Sequence, residues 1–65
     1  MGKYRIWGNK EYKAMDYVCR KSRATKIANE RRARGATGVR ITKEKDIGKE
    51  FCTTGYVYVV WDTFE

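Results

Sequence analysis

A chain of sixty-five residues with 42% hydrophobic content has room for one domain with one thin core, because small chains bury only about 60% of their unfolded surface. No apolar run approaches the roughly 18–20 residues needed to cross a bilayer, and the N-terminus lacks the apolar stretch of a signal peptide, so the sequence reads as soluble, intracellular and cytoplasmic, with no membrane partner. The net charge of +7 points instead toward a polyanion, and its placement sharpens the point. Between residues 20 and 34, seven basic residues (Arg20, Lys21, Arg23, Lys26, Arg31, Arg32 and Arg34) face a single acid, Glu30, while the rest of the chain is nearly balanced.

In chain order, Lys3-Tyr4-Arg5-Ile6-Trp7 alternates apolar and charged residues up to Gly8, which predicts a short strand. Asn9 stands where a helix N-cap belongs, and Glu11 in the first turn would complement the helix dipole. No proline or glycine interrupts residues 10–33. The apolar phase does shift, however. At about 100° per residue, Tyr12, Met15, Val18 and Cys19 form one stripe, whereas Ala24, Ile27 and Ala28 lie almost opposite. Two helices are therefore expected, at 10–21 and 23–34, with Ser22 as the second cap. The alternative is one long helix that overhangs the sheet or meets a second subunit.

Gly35 is a natural C-cap residue, and Arg31, Arg32 and Arg34 favour the negative end of the helix before it. Val39-Arg40-Ile41-Thr42-Lys43 alternates as a second strand. Residues 44–50 are polar, contain Gly48, and read as a loop. Residues 55–64, rich in Tyr, Val, Trp, Thr and Phe, form the third strand, with Phe51 and Cys52 in the loop or in an extension across a bulge at Gly55. The expected fold class is α+β: a small single domain over residues 1–65, in the order β-α(α)-β-β, with a helical layer on one face of a three-stranded sheet. The same order matches a winged helix-turn-helix that lacks its first helix.

If the helices cover Tyr4, Ile6, Val39, Ile41, Val57, Val59 and Trp61, the open face of the sheet holds Arg5, Trp7, Arg40, Tyr56 and Tyr58. Rings interleaved with arginines suit single-stranded nucleic acid, since bases stack on the rings and guanidinium groups hold phosphates. Ordinary cross-strand packing or a dimer interface would account for the same residues. The second candidate surface is the basic helix, whose cations can reach phosphates and base edges.

Catalysis has little to work with. Histidine is absent, no glycine-rich phosphate loop occurs, and the carboxylates Asp16, Glu30 and Asp62 are dispersed, so neither an enzyme nor a cofactor is expected. Cys19 and Cys52 have no metal-ligand spacing, can form at most one bridge, and read as reduced packing residues. The leading expectation is a small nucleic-acid-binding accessory or regulatory protein, for DNA or RNA. The competing one is a protein-interaction module, an inhibitor or adaptor, docking on an acidic protein partner and open to forming a homodimer.

Overall fold

The computed structural model describes residues 3–46, 48 and 52–65. Its elements are β1 (Tyr4–Trp7), β2 (Lys10–Val18), α1 (Lys21–Ala33), β3 (Gly38–Lys45) and β4 (Tyr56–Thr63). The four strands make one antiparallel, curled sheet in the order β1-β2-β4-β3. The α+β class stands, with one more strand and one fewer helix than expected.

The expected first helix, 10–21, is the strand β2. Gly8 (φ 55°) and Asn9 (φ 66°) both take positive φ, as the two central residues of a type I′ hairpin turn do, and Trp7 pairs with Lys10 across it. Asn9 is thus a turn residue and not an N-cap. The pairing of β2 with β4 slips between Ala14 and Asp16, leaving Met15 as the extra residue of a bulge. The bulge returns Tyr17 to the face of Tyr12 and Ala14, so the strict alternation that marks a strand is broken. With β2 in place of a helix, the comparison with a helix-turn-helix falls.

α1 starts at Lys21, before the expected cap Ser22. Arg20 occupies the N-cap position in an extended conformation without a side-chain cap. The C-terminal end is closed as anticipated: Gly35 (φ 101°) lets its own N–H donate to Arg32 O and that of Ala36 to Arg31 O, the paired bonds of a Schellman motif. Small residues set the distance to the sheet. Ala24 and Ala28 are fully buried against Val60, and Val18, Ile27, Val39, Ile41 and Tyr58 surround them.

A second core lies on the other face of the sheet, where Tyr12, Cys52, Val57, Val59 and Trp61 pack with Trp7, Ala14 and Tyr17. β4 is therefore buried on both sides. This corrects the expected faces. Val39 and Ile41 do lie under the helix, but Ile41 pairs with Val60, and residues opposite each other in a sheet share a face. The helix side of β4 thus holds Tyr58 and Val60, while Val57, Val59 and Trp61 face away. Tyr4 and Ile6 are on the helix side, beyond the reach of α1, and remain 56% and 73% exposed.

The cysteines are bonded to each other, Cys19 to Cys52, with Cα atoms 5.5 Å apart, which overturns the reduced reading. β2 ends opposite Tyr58, near the beginning of β4, so the segment entering β4 passes the residue that follows β2. Buried Asp46 fixes that segment by accepting the Cys52 N–H at 2.8 Å, and its own N–H donates to Gly55 O. The anticipated bulge at Gly55 is a bend that precedes β4. Glu44 and Lys45, expected in the loop, are instead the last residues of β3, paired with Val57 and Tyr56; the position of Phe51 and part of the remaining expected loop lie outside the described residues. Among the described residues, no helix is long and apolar enough to cross a membrane.

Candidate nucleic-acid interface

The sheet face turned away from α1 gathers three of the five residues expected there: Arg5, Trp7 and Arg40. Tyr56 and Tyr58 project from the other side, where Tyr58 packs beneath the helix and Tyr56 lies exposed under the Lys43 ammonium, 4.4 Å from its ring centroid. The missing rings are replaced by Trp61 and Tyr12. Trp7 meets both edge-on, with centroid distances of 5.5 Å and 5.1 Å.

These rings are occupied. Trp61 is 1% exposed, and its indole N–H donates to the Thr42 hydroxyl at 2.8 Å. The Arg5 guanidinium lies 4.9 Å from the Trp61 ring and that of Arg40 5.1 Å from the Trp7 ring, which is cation–π distance. Arg5 also donates to Glu44 at 3.1 Å. The hydroxyl of Thr42 hydrogen-bonds the Glu44 carboxylate and, more than Arg5 does, holds its pKa below the ordinary value against a partial opposing effect of burial. Trp61, Thr42, Glu44 and Arg5 thereby close a ring of contacts. A cavity of about 110 Å³ lies beside them, between Glu44, Asp46, Val59 and Trp61.

The seven helix-region cations divide. Arg31 bonds Asp62 at 2.5 Å, and Asp62 is only 3% exposed, so this arginine neutralises a buried carboxylate and is structural. Arg32 donates to Asn29 at 3.1 Å within the helix and remains exposed. Arg20, Lys21, Arg23, Lys26 and Arg34 are also exposed. With no acid in the first turn and Arg31 and Arg32 in the last, the helix begins at an uncompensated positive end and finishes with its dipole satisfied.

A groove of about 440 Å³ separates α1 from β2, lined by Arg23, Lys26, Ile27 and Glu30 of α1 and by Asp16 of β2. Two of the cations accordingly share their surroundings with acids. Lys43 was overlooked as a functional candidate in the sequence, although its alternation with Val39 and Ile41 places it on the helix side of β3. Its signal was the same period that identified the strand. Comparison with family models, curated proteins and solved structures finds no match to this chain.

Proposed function

We propose that this protein binds nucleic acid through the sugar–phosphate backbone, with the exposed cations of α1 as the contact surface and without catalysis. The observation that supports this most is that six of the seven cations between residues 20 and 34 are exposed, only Arg31 being committed to a buried acid. Contacts of that type position a ligand without reading its sequence, so binding is expected to be sequence-tolerant and salt-sensitive. Stacking of unpaired bases has less support, because the tryptophans are packed against each other and beneath guanidinium groups.

The test is titration with dye-labelled duplex and single-stranded oligonucleotides at low salt while tryptophan emission is followed. The reading expects binding with Trp7 and Trp61 emission nearly unchanged. Strong quenching by single strands alone would restore the stacking surface, and absence of binding to either would reject nucleic acid.

A second reading rests on the exposure of Tyr4 and Ile6 on β1, an edge strand of the sheet. An uncovered apolar edge of that kind suits pairing with a protein partner or a second copy. Sedimentation at micromolar concentration separates the two: a monomer favours the nucleic-acid reading, and a dimer lost on Ile6→Lys favours the edge. In the cytoplasmic setting expected from the sequence, the Cys19–Cys52 bond would be exposed to cellular reductants, and the fold would then rest on its two cores.

A further inference from the structure

The cations of α1 are not equivalent, because the helix lies over the sheet with two different flanks. Buried Ala24 and Ala28 mark the ridge pressed on β4, and Arg31, bonded to Asp62 of that strand, continues it. Arg23, Ile27 and Glu30 line the groove toward β2. At about 100° per residue, Lys21, Thr25 and Arg32 fall on the opposite flank, toward β3. The direction of α1 is fixed as well. β2 ends at Val18, opposite Tyr58, and Lys43 is opposite Tyr58 from the other side, so Lys21 begins the helix at the Lys43 end of the sheet. Arg32 follows eleven residues later, roughly 16 Å along the axis.

We infer that this β3-side flank, Lys21 and Arg32 of α1 with Lys43 of the edge strand, is the surface that grips phosphates, and that its ligand is a nucleic-acid duplex. The inference rests on the proposed nucleic-acid function and assigns the site within it. Two observations direct the choice. Toward β2, the two acids Asp16 and Glu30 line the same groove as Arg23 and Lys26, so the net charge around it is lower. Toward β3, the acid among the described residues of the strand's exposed end is Glu44, which alternation places on the other face, bonded to Arg5. The duplex follows from charge density: with its rings packed away, the protein binds through charge, and a duplex presents about one phosphate charge per 1.7 Å of axis, more than a single strand.

Lysine on an edge strand also discourages strand-to-strand aggregation, a role that would leave binding unaffected by its removal. The deciding experiment compares K21Q/K43Q with R23Q/K26Q on a duplex over a range of salt concentrations. Each variant loses two charges, so the long-range field falls alike in both. The expected result is that K21Q/K43Q lowers the slope of log K against log salt by nearly two and weakens binding at least about tenfold. R23Q/K26Q, which loses the same charge away from the proposed grip, should cost clearly less in both slope and affinity, and K21R/K43R should restore binding. All four side chains are exposed, and circular dichroism confirms that each variant is folded.

Equal losses in the two glutamine variants, or a larger loss in R23Q/K26Q, would overturn the flank assignment while leaving nucleic-acid binding intact. Tighter binding of a single strand than of the duplex would overturn the choice of ligand. Capture of polyglutamate as tightly as the duplex would favour an acidic protein instead. A parent protein with no salt-dependent binding would remove the proposed function itself, an outcome distinct from each of these.

Discussion

Thr42 joins the two halves of the open-face network: it accepts the Trp61 indole N–H and donates to Glu44. Thr42→Val keeps the shape and removes both bonds, leaving a buried donor without a partner, at a cost of about 1–3 kcal/mol. Urea unfolding followed by tryptophan emission should show that loss, with Thr42→Ser recovering most of it; an unchanged midpoint would show that the indole bond contributes nothing. Glu44 makes a pH-dependent contribution of definite sign. Its folded-state pKa is lowered from 4.5, so the folded chain binds its proton less readily than the unfolded chain. The associated stability is present above the unfolded pKa and disappears as pH falls through the lower folded value. Glu44→Gln should therefore lower stability at neutral pH, where that contribution is present, and flatten its acid limb below about pH 4.5. An unaltered acid limb would place the sensitivity at another carboxylate.

Among the elements, the helix end and the strands β1, β3 and β4 were legible because each follows a local rule: alternation, β-branched and aromatic content, or a glycine at a helix C-terminus. β2 was not, for two local reasons. Gly8-Asn9 is a hairpin dipeptide, yet Asn9 followed by Glu11 also satisfies a helix start, and the Met15 bulge replaces alternation with a spacing that resembles a helical stripe. The faces of β4 were misassigned because Tyr56 through Trp61 are apolar on both sides, so only pairing with Ile41 decides which side the helix covers. The Cys19–Cys52 bond depends on that same tertiary path and could not be read from spacing. It ties the start of α1 to the approach to β4 across 33 residues, a loop for which chain entropy gives about 4 kcal/mol. Reduction, or replacement of both cysteines by serine, should lower the melting temperature by at least about 10 °C; a shift of only a few degrees would mean that the two cores hold these elements unaided.

For the whole molecule, the total charge was evident in the composition, but its division was not. Arg31 is in the sequence run with the other cations, and only the fold gives it to Asp62; Lys43 is outside the run, and only the sheet sets it beside α1. The exposed cations around α1 therefore differ from the run by the loss of Arg31 to Asp62 and the addition of Lys43. Of the expected aromatic surface, Arg5, Trp7 and Arg40 came together as a closed cluster, since the curled sheet turns its open face into a second core. These assignments support the proposed reading, in which the protein would meet its ligand through exposed charge. The most direct test is the affinity of the unmodified protein for a short duplex measured across salt concentrations. The account predicts that log K falls linearly with log salt with a slope of about −3 to −5, as three to five neutralised phosphates would give, and a slope near zero, or no binding at low salt, would contradict it.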